Sequence, residues 1–253
     1  MNKWDEKAKN YARYSPSKNS FEANVLKTLE ELKIRFENRS VIDIGCGTGV
    51  YTIKIAQIAK SVVGIDFSIN MLHILNEDAQ KLGIDNIQTK HSTWDDFNLG
   101  DKIYDIAICT MSPAVKTDKH LEKFNKCAKT KIYLGWAGVR DNTILDDLFL
   151  AHNSIYTPPN GAKRVKKWLQ DENIKYQLKN FEELKIRIRS FKEAVENYTW
   201  HLNVRGLKTD TEKIKNILEP LRDEDGNIRE QTNSKMDLIA WGDCCSIITL
   251  PSN

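Results

Sequence analysis

The nine residues VIDIGCGTG, 41–49, limit what this chain can fold into more than any other segment. An apolar run carrying one acid, Asp43, breaks into glycines at every second position, Gly45, Gly47 and Gly49. Glycine lets the backbone take up conformations barred to other residues, and lets a ligand approach the main chain where a Cβ would stand. A helix beginning just after such a loop aims its free N–H groups and the positive end of its dipole at the same place. Strand, glycine loop and helix start together predict a nucleotide-type pocket at the end of the first strand.

The flanking segments repeat this unit. Phe21, Val25, Leu29 and Leu32 recur at spacings of three and four and predict an amphipathic helix over 19–36. After the loop, Val50, Ile53 and Ala56 mark a helix, SVVGID (61–66) a strand, and Met71, Leu75, Ala79 and Leu82, closed by Gly83, a second helix. Strands are expected again at 87–92, 104–110 and 131–138, with Leu121, Phe124 and Ala128 supplying a helical face before the last. This alternation predicts an α/β fold: a doubly wound, mostly parallel, seven-stranded sheet, Rossmann-like, with helices on both faces and a ligand beyond the carboxyl ends of the strands. From 139 onward the alternation loosens. Helices are expected at 143–151, after the TPPNG break at 157–161, at 191–202 and at 210–222, and long strands around 174–190 and 237–249, with Cys244 and Cys245 in the last. The chain, 1–253, is expected to be one domain: an N-terminal helical arm or lid (1–39), a ligand-binding core (40–138), and a substrate-side, largely helical elaboration carrying the last strands (139–253).

Forty per cent apolar and 29 per cent charged residues suit a chain with a substantial core and exclude a fibrous or low-complexity one. The formal charge of +3 is too small to imply nucleic acid, but it is uneven, since residues 161–192 hold ten Lys or Arg against four Asp or Glu. Within them Lys185, Ile186, Arg187, Ile188 and Arg189 alternate as a strand with one basic face. Such a face is either a solvated edge that discourages aggregation or a docking surface for an anionic substrate. Five cysteines with no CxxC pair, and an amino end with no apolar leader, fit a reducing, cytoplasmic setting without a membrane span. The histidines have no ligand-like spacing, so no metal is expected.

Two further features follow the glycine loop in order. Asp66 ends the second strand, 17 residues after Gly49, where a carboxylate can accept both hydroxyl protons of a ribose. HSTWDDF, 91–97, follows the third strand. With the GxGxG spacing led by Asp43, these motifs resemble the class I S-adenosylmethionine-dependent methyltransferases over roughly residues 40–138. The resemblance implies that Asp43 and the backbone of Gly45, Cys46, Gly47 and Gly49 bind the methionine part of the cofactor. It implies that Asp66, with Phe67 beside it, binds the ribose, and that Thr93 and Trp94, or Asp95 in place of Thr93, bind near the adenine. The residues alone leave other roles open: Asp43 as an acid that pins the loop, Asp66 as a helix cap in competition with Ser68, and Trp94 as core.

The fourth strand ends in CTMSPAV, 109–115, where the family makes substrate contacts, so Met111, Ser112 and Pro113 are candidate substrate residues. The run lacks the acid or Asn, Pro, Pro and aromatic residue of nucleic-acid amino methyltransferases. Cys109 is expected to pack as a small residue of the cofactor pocket, and the companion motif of a covalent pyrimidine mechanism is not visible. Tyr11 and Tyr14, aromatics in the N-terminal arm, resemble the residues of a cofactor-covering lid. The leading expectation is methyl transfer from S-adenosylmethionine to a small molecule by direct in-line displacement, with no catalytic residue assigned. The alternatives are a methyltransferase acting on RNA or tRNA bases, and a non-catalytic cofactor-binding regulator. A nicotinamide dehydrogenase is disfavoured by the missing GxGxxG.

Overall fold

The computed structural model describes residues 2–101 and 103–245. Seven strands form one sheet in the order β3-β2-β1-β4-β5-β7-β6. They are β1 (Ser40–Ile44), β2 (Ser61–Asp66), β3 (Ile87–His91), β4 (Tyr104–Thr110), β5 (Ala128–Asp141), β6 (Tyr176–Ser190) and β7 (Asn227–Gly242). Strand β1 pairs in parallel with both β2 and β4, β2 with β3, and β4 with β5. The fold is the expected mostly parallel, Rossmann-like α/β sheet. Strand β1 is central, and its Val41, Ile42 and Ile44 are wholly buried, as the near-continuous apolar runs of covered parallel strands require.

The helices are α1 (Lys3–Ala8), α2 (Phe21–Glu31), α3 (Thr52–Ala56), α4 (Ile69–Lys81), α5 (Asp118–Lys126), α6 (Thr143–Ala151), α7 (Gly161–Asp171), α8 (Phe191–Val204) and α9 (Thr211–Leu218). The chain divides into two compact units. The first comprises the residues up to Gly135 with Gly161–Lys179 and the chain from Asp237 onward, and the second Trp136–Asn160 with Asn180–Met236. Thus 161–179 and the end of β7, expected with the elaboration, pack with the first unit. Its largest cluster joins Ile42, Ile44, Tyr104, Phe124, Val165, Trp168 and Trp241. The second unit has its own core, in which Leu145, Leu148, Tyr198, Leu202, Ile214 and Ile228 meet.

Several boundaries differ from the sequence expectation. Helix α2 stops at Glu31 because Lys33 turns to a φ of 62°, so 32–36 are not helical. Ala128, expected on a helix, opens β5 opposite Tyr104. Strand β7 begins at Asn227 and ends at Gly242, where a φ of 97° leads into a short 3-10 turn, Asp243–Cys245, so Cys244 and Cys245 lie in that turn. The remainder of the expected strand, 246–249, lies outside the described residues.

Phe124 is wholly buried and meets Trp241 edge to face at 5.3 Å. Phe124→Ala is expected to destabilise the chain by about 3–5 kcal/mol in urea denaturation, the loss typical of a large core aromatic.

Candidate functional site

The site assembles at the carboxyl ends of β1, β2 and β4. The loop after β1 turns back on β2 through donation from the Gly45 and Cys46 N–H groups to the Ile65 carbonyl, at 2.8 and 3.0 Å. The glycines hold φ values of 73°, 54° and 83°, a region that strains any other residue. Two of them are also needed for space. A Cβ on Gly45 would stand 1.8 Å from Ser112 Oγ, and one on Gly49 2.2 Å from Leu75 Cδ1, whereas one on Gly47 would meet nothing within 4 Å. The loop is therefore packed on two sides and open at Gly47.

Two carboxylates address this loop. Asp43 is wholly buried. Its Oδ2 accepts from Thr52 Oγ1 at 2.6 Å, while its Oδ1 has no hydrogen-bond partner. Burial raises its pKa from the ordinary 3.8 to about 7, with the nearby Asp66 adding to the rise. Asp66 accepts from the Gly47 N–H at 2.9 Å through Oδ2 and from the Ser68 N–H at 2.8 Å through Oδ1. Burial raises the Asp66 pKa against the opposing pull of those N–H groups. A carboxylate has about four acceptor positions, so Asp66 keeps acceptor capacity beyond the backbone N–H groups that address it. Ser68 is itself the cap of α4, accepting from the Met71 N–H at 3.3 Å. Phe67 stands beside Asp66, 37% exposed, and its carbonyl contacts His91 Nε2 at 3.0 Å and accepts from Asn2 Nδ2 at 3.2 Å.

The amino-terminal arm is fastened along the same loop. Asn2 and Asp5 form a capping box on α1, and Asp5 Oδ1 accepts from Ser68 Oγ at 2.6 Å. Thr48 Oγ1 donates to the Ala12 carbonyl at 2.5 Å, and Lys54 Nζ to that of Ser15 at 2.8 Å. Tyr14 is held by Gln57 and Lys54 and packs on the Cys46, Ile53, Leu72 and Leu75 cluster; Tyr11, 37% exposed, stands edge-on to Trp4. Asp5, Thr48 and Thr52 were not found by sequence reasoning. The one available signal was the Asn-x-x-Asp spacing at the amino end.

The segment after β3 divides its residues between core and surface. Trp94 is 3% exposed and belongs to the core, its indole N–H donating to the His120 carbonyl at 3.2 Å. A tryptophan flanked by polar residues in sequence is buried because the Lys123 ammonium caps the carbonyls of Trp94, Asp95 and Phe97 and lies over the indole ring. Thr93 Oγ1 donates to Asp96 Oδ2 at 2.5 Å. Asp95 meets His120 Nε2 at 2.7 Å. His120 Nδ1 accepts the Lys116 N–H at 3.1 Å, so the ring proton sits on Nε2 and is donated to Asp95, which lowers the Asp95 pKa. Of the expected adenine neighbours, the structure therefore leaves Thr93 and Asp95 at the surface and takes Trp94 inside.

At the end of β4, Met111 has a φ of 52°, uncommon for a residue with a side chain and a mark of functional loops. Its N–H donates to the Leu134 carbonyl at 2.7 Å. Ser112 abuts Gly45, Pro113 is exposed, and the Arg164 guanidinium donates to the carbonyls of Val115 and Lys116, fixing the loop's far end. Cys109 is wholly buried, and burial pushes its thiol far above the ordinary range, so it stays protonated. Among the described residues no three His, Cys, Asp or Glu side chains gather as metal ligands, and no helix is long and apolar enough to cross a membrane.

Because the Asp43 pKa is raised on folding, its contribution to stability is complete below about pH 4 and is lost as pH rises through about 7. Asp66 acts in the same direction. Thermal melts are expected to show stability falling between pH 5 and 8, and Asp43→Asn is expected to flatten that slope. Parallel profiles for the two proteins would mean that Asp43 is ionised throughout.

The model of the methyltransferase domain family matches residues 35–220. An uncharacterised protein of Haemophilus influenzae is 32% identical over 147 residues, 57% of this chain and 53% of that protein, so the chain matches about half the relative's length. Among solved structures, the YcgJ protein of Bacillus subtilis superposes with a TM-score of 0.57 at 16% identity, over 86% of this chain and 97% of that one. Precorrin-6y C5,15-methyltransferase of Geobacter metallireducens does so with a TM-score of 0.52 at 10% identity, over 92% and 95%. At these identities the structural likeness is one of fold. The family match, which runs from before β1 through α9 and takes in both carboxylates and the glycine loop between them, establishes that the chain belongs to the methyltransferase domain family.

Proposed function

We propose that the chain transfers the methyl group of S-adenosylmethionine to a small-molecule acceptor by direct in-line displacement. The observation that carries this reading is the convergence of two buried carboxylates on one glycine loop, with an unsatisfied acceptor on Asp43 and the open side of the loop at Gly47. A buried acceptor without a donor is unfavourable by roughly 1–3 kcal/mol. An amino acid ammonium or its bound water would relieve it. Asp66, with acceptor capacity left over from the backbone N–H groups, suits a ribose hydroxyl, and the exposed ring of Phe67 beside it offers a face to a base.

A sulfonium donor brings a methyl group already activated for displacement. What remains for the chain is placement and exclusion of water. Asp43 and Asp66 hold the two ends of the donor, the arm over Thr48 and Lys54 covers the loop, and Met111, Ser112 and Pro113 present the acceptor side. No side chain is assigned as a general base.

A small acceptor is favoured over RNA by the state of the basic stretch. Arg164 is engaged with two backbone carbonyls, and Lys166 is paired with Asp237, Lys167 with Asp171, Lys185 with Glu183 and Arg189 with Glu230. Five of the ten cations of the stretch are thus engaged within the chain, which breaks up the continuous track that a phosphate backbone needs.

Isothermal titration with S-adenosylhomocysteine is expected to show one site, and Asp66→Ala to weaken it about tenfold to a hundredfold, as removal of a charged acceptor does. Unaltered binding by the variant would refute the assigned pocket. Methyl transfer to purified cellular RNA, falling steeply with salt, would refute the small acceptor.

A further inference from the structure

In the second unit, one cluster of cations lacks the anions that would balance it. Arg140 lies near the end of β5, Arg187 and Arg189 on the edge strand β6, and Glu230 on β7 between those strands in the sheet order. Glu230 is 5% exposed and accepts from Arg189 Nε at 3.0 Å and from Asn197 Nδ2 at 3.4 Å. Alternation along β6 puts Arg187 on the same face as Arg189. Arg140 leans over the Trp136 ring, 5.4 Å from its centroid, and its Nε is buried without an acceptor.

Of the three guanidinium groups only that of Arg189 is bonded to the carboxylate, while Arg187 feels the charges of Arg189, Arg140 and Glu230 together. Desolvation and the charges of Arg189 and Arg140 lower the Arg187 pKa, with Glu230 opposing them. Glu183, the other acid felt by Arg187, is paired with Lys185 at 3.5 Å. Among the described residues no carboxylate pairs with Arg140 or Arg187. A solvated edge strand would account for exposed arginines, but not for a buried guanidinium donor with nothing to donate to.

We propose that Arg140, Arg187 and Arg189 form a binding site for a small oxyanion, the carboxylate or phosphate group of a low-molecular-weight ligand. The planar forks match the paired oxygens of such groups, and Glu230 orients one fork while leaving the others free. The positive field is local, since the neighbouring Lys185 and Lys235 are each paired with a glutamate, so the site suits a single anionic group and not a polyanion.

The test uses the full chain without methyl donor, and its outcome is therefore independent of the transferase reading. Inorganic phosphate and succinate are titrated calorimetrically at constant ionic strength in chloride. Saturable one-site binding of phosphate is expected, weakened about tenfold by Arg187→Gln and by Arg140→Gln, as loss of a charged hydrogen bond predicts. Succinate binding at the same site identifies a carboxylate ligand, and its absence a phosphate-bearing one. Without phosphate, Arg187→Gln is expected to melt no lower than the parent, since it removes a repelling charge, so lost binding is not lost folding. Linear uptake, or equal phosphate affinity in both variants and the parent, overturns the site. Variant-sensitive binding of single-stranded RNA with a steep salt dependence overturns the small ligand in favour of nucleic acid.

Discussion

The carboxylate of Asp66 is the junction through which the site is organised. One oxygen takes the Gly47 N–H and the other the Ser68 N–H, so a single side chain fixes the glycine loop after β1 to the capping residue of the helix after β2. Ser68 passes the connection on, its hydroxyl accepting from Met71 and donating to Asp5, which caps α1 together with Asn2. Strand end, loop, helix start and amino-terminal arm are thereby tied in series. Each bond to a charged acceptor contributes about 1.5–3 kcal/mol, more than the neutral bonds around them. The arm over the loop is consequently an extension of the same network.

The opposite wall is fixed by close contact and by bonds to the backbone. Gly45 exists as glycine because Ser112 occupies the space of its Cβ, and Ser112 is there because the chain leaves β4 through Met111 in a left-handed conformation. That turn is over-determined, as strained backbone must be. The Met111 N–H is tied to β5 at Leu134, and Arg164 clamps the carbonyls of Val115 and Lys116. A residue of α7, more than fifty positions along the chain from Met111, thus helps set the loop that packs against Gly45.

The legible part of this architecture was the part in which burial and periodicity coincide. Strands β1, β2 and β4 are short apolar runs buried on both faces, and α4 shows Met71, Leu75 and Ala79 on one stripe, so their limits were readable to within a few residues. Strand β7 was not. Its first half, NIREQTNSK, is polar and looks like a loop, yet it lies between β5 and β6, where ladder bonding overrides side-chain propensity. Asp43, Asp66 and the glycines were visible because a lone acid in an apolar strand and alternating glycines have few structural uses. Between the two readings open for Trp94, sequence could not decide: its neighbours are polar, but the distant Lys123 donates to the carbonyls around it and the ring enters the core. The role of Ser68 and Asp5 depends on contacts across more than sixty residues, which no local pattern reports.

The two acids also explain why the most readable segment is not the most stable arrangement of it. Asp43 is buried deeply enough that its carboxyl resists ionisation up to about pH 7, with one oxygen unsatisfied, and Asp66 is pushed the same way. An apolar residue at 43 would continue the pattern of Val41, Ile42 and Ile44 and remove that penalty. Departures of this kind from local consistency concentrate where a fold has been shaped by a ligand. A bound group that donates to these oxygens favours their ionised form, so ligand uptake and deprotonation are linked in sign: each makes the other easier. The unfavourable burial in the free protein is thus the same free-energy term that a ligand donating to these oxygens would recover.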